Sequence, residues 1–227
     1  MAATSQVILI FGSGPNVGQH VARAFAAKGY KIALVSRNPK EQDSANQVNI
    51  ASDLSDPDAV IDAFTKVKSL LGLPSVVVYN AAAATQNEPK HPLSLSLTDF
   101  TRDLNVNTVS AFAAAQQAAA AFEQLPDTAS RTFIYTGNIL NTITMAPLLD
   151  LGVGKSATAH VIQSAASAYA DRGFKFYYGD ERNDDGSPAY AKIDGEAHGE
   201  FYSQLSEHKL QGPWLQTFVK GSGYKKF

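Results

Sequence analysis

The fold of this chain is decided by residues 7–18, Val-Ile-Leu-Ile-Phe-Gly-Ser-Gly-Pro-Asn-Val-Gly. The five apolar residues are typical of a strand that is buried on both faces of a parallel sheet. The glycines that follow permit a tight turn, and the segment after them has the pattern of a helix. Because free N–H groups at a helix N-terminus attract negative charge, the stretch predicts a strand-turn-helix unit that binds phosphate groups.

The same alternation of apolar runs and helical stretches continues along the chain. Further strands are predicted at Lys31–Val35, Val48–Ala51, Val76–Tyr79, Thr132–Tyr135, Phe174–Tyr178 and Leu215–Val219. Helices are predicted at Val17–Lys28, Pro57–Leu70, Asp99–Leu125 and Lys155–Arg172. This order predicts one Rossmann-type α/β domain over residues 1–227, a doubly wound parallel sheet of about seven strands with helices on both faces. A polar segment at about 179–195 is predicted as a loop on the substrate side.

The composition of the chain excludes several classes of binding partner. The 227 residues carry a formal net charge of -2, so the chain has no basic footprint for nucleic acid or for an anionic membrane. There is no cysteine, which excludes disulfides, thiolate nucleophiles and cysteine-ligated metals. The apolar run near the N-terminus is too short to span a bilayer. We therefore expect a cytoplasmic protein whose partner is a small molecule.

The glycine turn and the end of the second strand together predict the cofactor. The spacing G-x-G-x-x-x-G places six candidate cofactor-binding residues in the turn: Gly12, Ser13, Gly14, Asn16, Val17 and Gly18. NAD sites carry an acidic residue at the end of the second strand, whereas this strand ends in Ser36-Arg37-Asn38. Because an arginine suits a 2′-phosphate, the sequence predicts NADP(H).

Further motifs follow the third and fourth strands. They are Asp53-Leu54 and Asn80-Ala81-Ala82, and Asn105 lies in the next helix within Leu-Asn-Val-Asn. With the glycine turn, in which Asn16 replaces the middle glycine, these motifs resemble the short-chain dehydrogenase/reductase family up to about residue 179. The resemblance implies that Asp53 contacts the adenine, that the 80–82 turn borders the cofactor, and that Asn105 is the family's asparagine. It also implies a homodimer or homotetramer built on the two long helices.

The chain departs from that family where the family carries out its chemistry. The family has a serine after the fifth strand and then Tyr-x-x-x-Lys, whereas this chain has Asn138 and Leu151-Gly-Val-Gly-Lys155. Reduction of a carbonyl needs an acid, and leucine has no proton to give. The resemblance leaves Lys155 to bond the nicotinamide ribose, and the Asn138 amide is able to donate a hydrogen bond to a substrate oxygen.

If the chain is a reductase, its proton comes from a relocated acid, from water or from the substrate. Tyr177, Tyr178, Asp180 and Glu181 lie near the expected ligand crevice, although tyrosines at these positions also suit a strand. His198 lies among glutamates in a polar helical stretch, which we interpret as a solvated face without a metal.

Three functions are compatible with this pattern. The leading hypothesis is an NADP(H)-dependent oxidoreductase for a small carbonyl or alcohol with a non-standard proton donor. The second is a catalytically silent NADP(H)-binding protein, which the loss of both serine and tyrosine favours. The third is a non-redox isomerase or cyclase on the same fold.

Overall fold

A computed structural model describes residues 6–39 and 41–227, and within them the chain forms an eight-stranded sheet with helices on both faces. The strands are β1 (Val7–Phe11), β2 (Lys31–Ser36), β3 (Gln47–Ala51), β4 (Val76–Tyr79), β5 (Thr132–Thr136), β6 (Lys175–Arg182), β7 (Leu215–Val219) and β8 (Gly223–Tyr224). The helices are α1 (Val17–Ala27), α2 (Asp58–Leu70), α3 (Leu97–Leu104), α4 (Ser110–Phe122), α5 (Leu149–Tyr169) and α6 (Gly195–Glu207).

The strands are ordered β3-β2-β1-β4-β5-β6-β7-β8. All neighbours pair in parallel except β8, which runs antiparallel to β7. The predicted doubly wound sheet is confirmed, while the predicted number of about seven strands is one too low. The extra strand forms because the chain turns back after β7 and pairs Val219 with Gly223. The order reverses between β1 and β4, and a ligand crevice opens at such a point in sheets of this type.

The sheet has an apolar core on each face. Val7, Leu9 and Phe11 of β1 face a core with α2, α4 and α5. Ile8 and Ile10 face a second core with α1 and α6. Since successive residues of a strand point to opposite faces, a strand buried on both sides needs the continuous apolar run that this chain begins with.

The predicted helix over 99–125 is in fact interrupted. Asn105–Val109 form a short π-helix between α3 and α4. The extra residue in this turn is stabilised by Asn107, whose amide accepts from Ala83 N and donates to Ala83 O at 3.0 and 2.7 Å. π turns of this kind are frequent at functional sites. Helix α5 also differs from its prediction, since it begins at Leu149, six residues before the predicted start.

The predicted loop at 179–195 is shorter in the structure. Strand β6 continues through Arg182, and the loop occupies 183–194 before α6 begins. The charged end of β6 remains in the sheet because Asp180 pairs with Thr217 of β7 and bonds Arg182, with Arg182 Nε 2.7 Å from Asp180 Oδ2. No helix in the described part of the chain is long and apolar enough to cross a membrane.

Candidate active site at the carboxyl edge of the sheet

A cleft of about 660 Å³ opens where β1, β2, β3 and β4 end. Its walls contain most of the predicted cofactor-binding residues, namely Gly12, Ser13, Gly14, Ser36, Arg37, Asp53, Leu54, Asn80, Ala81 and Ala82. Sequence analysis did not include Ser52, Ser55, Ala83, Ala84, Arg102, Asp103 and Val106, which also line it. The cleft lies at the strand-order reversal, the position expected for a ligand.

The floor of the cleft requires glycine at residue 12. Gly12 has φ +85°, and a Cβ there would lie 2.5 Å from Ala81 N. Asn80 Nδ2 donates to Gly12 O at 2.8 Å and ties the end of β4 to the turn. A Cβ on Gly14, by contrast, would have no neighbouring atom within 4 Å. The turn is therefore closed against β4 and open on the side where a pyrophosphate would approach.

Arg37 and Asp53 both line the cleft, close enough for the Arg37 charge to act on the Asp53 carboxyl group. Hydrogen bonds from the Ser55 backbone and hydroxyl, together with the Arg37 charge, lower the pKa of Asp53. Asp53 is thus an anion at neutral pH that accepts from Ser55 N at 3.0 Å. Arg37 is exposed directly after β2 and contributes positive charge to the wall of the cleft.

Some predicted cofactor-binding residues lie outside the cleft. Asn16 donates to Ile193 O and accepts from Gly195 N, both at 2.9 Å, so its amide fastens the start of α6 to the turn. Val17 and Gly18 are buried in the first turn of α1, and Asn38 is exposed beyond the cleft. None of these four residues lines the cleft: three belong to the glycine turn and the start of α1, and Asn38 follows β2.

Lys155 lies below the ends of β5 and β6. Its side chain is 3% exposed, and Nζ donates to Thr136 O at 2.8 Å and lies 4.4 Å from the centre of the Tyr135 ring. Burial lowers the pKa of Lys155 to about 7, although the nearby Asp180 carboxylate opposes this. Lys155 does not line the cleft in this structure. Its amine is a group that gains and loses a proton near neutral pH.

Asn107, not Asn105, contacts the helix that carries Lys155. Asn105 Nδ2 donates to Ser55 O at 3.0 Å, which places that side chain beside α2. A Cβ on Gly154 would lie 2.5 Å from Asn107 Cβ, so α5 packs directly on Asn107. Asn107 O accepts from Tyr135 Oη and Thr158 Oγ1. Asn107, rather than Asn105, is therefore the asparagine that packs against α5, and the role of Asn105 stays a prediction.

Asn138 is held with its amide nitrogen free. Its Oδ1 accepts from Leu140 N at 3.0 Å, and its backbone N and O both bond Tyr178 Oη. Nδ2 has no hydrogen-bond partner among residues 6–39 and 41–227. The amide nitrogen is thus available to donate a hydrogen bond, and its predicted contact with a substrate oxygen stays a prediction.

A second, smaller cavity of about 110 Å³ adjoins Asn138. We call it the acceptor pocket; its walls are Gly137, Asn138, Ile139, Leu140, Met145, Leu148, Leu151, Asp180, Glu181, Pro188, Ala189, Tyr190, Ile193 and His198. Two of the four acids considered from the sequence, Asp180 and Glu181, line it. Tyr177 and Tyr178 are fully buried and point to Leu210 O and Asn138 O, so they have the packing role.

The interpretation of His198 as part of a solvated face is wrong. Its side chain is 1% exposed and packs edge-on against Tyr202 and Phe218. Burial lowers its pKa to about 4, so the imidazole is neutral at pH 7. Within the described ranges, no cluster of three or more His, Asp or Glu side chains is arranged to hold a metal.

The sequence analysis also did not predict a pair of buried carboxyl groups. Asp103 and Asp150 are 0% and 1% exposed, and both bond Thr85, through Oγ1 and the backbone N respectively. Burial and the neighbouring Asp103 raise the pKa of Asp150. For Asp103 the bonds from Arg102, Asp150 and Thr85 outweigh burial and lower its pKa. The pair fastens the segment after β4 to the start of α5, directly before Leu151.

Residues 13–177 match the family model described as enoyl-(acyl carrier protein) reductase. The short chain dehydrogenase/reductase dmxR12 of Cryptosporiopsis sp. is 49% identical over 99% of this chain and 96% of its own length. The chain belongs to the short-chain dehydrogenase/reductase family. A metagenomic short-chain oxidoreductase in complex with NADP superposes with a TM-score of 0.79 at 16% identity, covering 96% of this chain and 97% of that one. BdcA in complex with NADPH superposes with a TM-score of 0.71 at 19% identity, covering 100% of this chain and 98% of that one.

Proposed function

We propose that this short-chain dehydrogenase/reductase is an NADP(H)-dependent oxidoreductase that interconverts a carbonyl and an alcohol on a small molecule. The observation that carries the proposal is the position of two cavities at the same carboxyl edge of the sheet. The cleft with Arg37 ends beside the turn after β4, and the acceptor pocket with Asn138 and Leu151 opens at the ends of β5 and β6.

The residues of the cleft fit a dinucleotide phosphate. Gly12 and Gly14 leave room for a pyrophosphate at the start of α1, and Arg37 suits a 2′-phosphate. Asp53 and Leu54 would border the adenine. Two solved structures of this fold carry NADP or NADPH. When bound, the nicotinamide would exchange a hydride with the substrate carbon.

The chain's own contribution is to orient the substrate oxygen and exchange a proton with it. The free Asn138 amide is placed to donate to that oxygen, which would stabilise charge as it develops. Leu151 has no proton to give. The proton is exchanged instead with a carboxyl group of the acceptor pocket, with water or with the substrate itself.

The replacements at 138 and 151 also favour a second candidate, a silent protein that binds NADP(H) without turnover. It would need the cleft alone, whereas the reductase needs both cavities. Consumption of NADPH in the presence of a carbonyl compound separates the two.

The test is a fluorescence titration with NADPH and NADH, followed by NADPH consumption against a panel of aldehydes and ketones. Arg37→Ala is expected to weaken NADPH binding by about 10- to 100-fold, because a charge-assisted bond contributes about 1.5–3 kcal/mol, and to leave NADH binding unchanged. Arg23→Ala is the matched control, since Arg23 is exposed on α1 away from the cleft. Equal NADPH affinity of wild type and Arg37→Ala would refute the cofactor assignment, and absence of consumption by NADPH-loaded protein would refute the reductase.

A further inference from the structure

The acceptor pocket holds one buried carboxyl group that is paired with an arginine through a single oxygen. Asp180 is 1% exposed, and Arg182 Nε lies 2.7 Å from its Oδ2. Oδ1 receives no hydrogen bond from any residue in 6–39 or 41–227. Since Asp180 lines the pocket, its unbonded Oδ1 is available to accept a hydrogen bond from a ligand there.

His198 and Glu181 add two further acceptors. His198 Nδ1 lies 2.8 Å from Asp194 O and 3.5 Å from Glu181 Oε2, which places the ring proton on Nδ1 and leaves Nε2 as an acceptor. Glu181 Oε2 accepts from Asp194 N at 2.8 Å, and its Oε1 has no partner within the described residues. Asn138 Nδ2 is the complementary donor on the same walls.

Cations lie near both carboxyl groups of the pocket. Burial raises the pKa of Asp180, while its bond to Arg182 and the charges of Arg182 and Lys155 act in the opposite sense. Burial also raises the pKa of Glu181, and the charge of Lys220, which is itself paired with Asp194, opposes this. Since Asp180 is already paired with Arg182, a cationic ligand gains little beside it, and an anionic ligand would meet two carboxyl groups.

The size of the pocket limits what enters. A buried apolar cavity of about 150 Å³ accepts benzene, so about 110 Å³ open on one side accommodates one ring that projects partly outward. Apolar walls from Leu140, Met145, Leu148 and Ile193 suit such a ring.

We propose that the acceptor pocket binds a neutral ring-sized part of the substrate that carries a hydroxyl group, and that this hydroxyl donates to Asp180. The substrate is then a hydroxylated carbonyl compound, with the carbonyl oxygen at Asn138. This assignment rests on the proposed function for its role in catalysis, while the binding preference stands on the pocket alone.

The test uses three probes of one ring each: phenol, anisole and benzoate. Phenol carries the hydroxyl donor, anisole replaces it by a methyl ether, and benzoate carries a negative charge. Dissociation constants are measured by NMR titration of the wild-type protein. Phenol is expected to bind at least tenfold more tightly than anisole, and benzoate is expected to bind more weakly than either. Equal affinity for phenol and anisole, or benzoate as the tightest probe, would overturn the proposal.

Asp180→Asn tests the acceptor directly. Arg182 would retain the amide oxygen, so a nitrogen donor replaces Oδ1, and the preference for phenol is expected to fall to about equal affinity. Asp184→Asn is the matched control, because Asp184 is exposed in the loop and outside the pocket, and it is expected to keep the tenfold preference. A folded Asp180→Asn protein that keeps the preference would remove Asp180 from the proposal. If this variant does not fold, the wild-type comparison of the three probes still decides.

The same samples are titrated with NADPH by fluorescence. Phenol preference without NADPH binding would reject the proposed function and leave the pocket's preference intact. NADPH binding without phenol preference would reject the substrate class alone.

Discussion

The buried imidazole of His198 predicts how the protein responds to acid. The folded protein holds His198 neutral, and burial lowers its pKa from 6.5 to about 4, although the Asp194 carbonyl and carboxylate act in the opposite sense. Glu181 also faces the ring, at 3.5 Å. Because the folded pKa is depressed, the contribution to stability is complete above pH 6.5 and is lost as the pH falls toward 4.

The magnitude follows from the size of this change. A pKa that falls from 6.5 to about 4 corresponds to about 3 kcal/mol of free energy of unfolding. The side chain is 1% exposed, so solvent screening does not reduce this figure appreciably. Wild type is therefore expected to lose about 3 kcal/mol more than His198→Gln between pH 6.5 and 4, because glutamine does not titrate.

Urea unfolding at half-unit steps of pH measures this difference. His160→Gln provides the control, since His160 is exposed on α5 and its replacement is expected to leave the pH dependence of wild type unchanged. Identical pH dependence of His198→Gln and wild type would refute the burial of a neutral imidazole at this position.

Three further predictions concern the glycine turn, the buried lysine and the assembly. Gly12→Ala is expected to lower the free energy of unfolding by about 3 kcal/mol, because residue 12 has a positive φ and its Cβ would lie 2.5 Å from Ala81 N. Gly14→Ala should change the free energy of unfolding little. Equal melting temperatures of the two variants would contradict this prediction. Lys155→Met is expected to melt at a higher temperature than wild type and to lose NADPH turnover. The difference in melting temperature should grow as the pH falls from 10.5 toward 7, because the lowered pKa of Lys155 makes a buried ammonium group costly. A lower melting temperature of Lys155→Met at pH 7 would count against this prediction. Phe112 is 50% exposed on α4, and Phe112→Glu is expected to convert a homodimer or homotetramer to a monomer in light scattering; a wild-type monomer would remove the assembly prediction.

The sequence allowed the fold to be predicted because its main signals are local. The apolar run of β1 and the glycine turn are each contained in a few residues, and the order of the strands follows from alternation with helices. The end of β6 was missed because Asp180 and Arg182 look like loop residues until their mutual ion pair and their pairing with β7 are known. Long-range pairing of this kind has no local signature.

The site was only partly predictable for the same reason. Two asparagines follow Leu104, and the spacing alone does not show that a π turn directs Asn107 to α5. His198 looked solvated because glutamates surround it in sequence. A signal was present nonetheless: Gly195 and Gly199 lie four residues apart, and a Cβ on Gly199 would be 2.8 Å from His20 O, so α6 lies directly against α1. Small residues at helical spacing indicate close helix packing and hence burial.

Comparison of the wild type with Leu151→Tyr decides whether the chain reduces a carbonyl with NADPH although residue 151 has no proton to give. NADPH consumption is measured for both proteins with the same hydroxylated ketones and aldehydes, after NADPH binding has been shown for each. Turnover by the wild type is the predicted result. NADPH binding without turnover in the wild type, with activity appearing only in Leu151→Tyr, would contradict the account and identify a silent cofactor-binding protein.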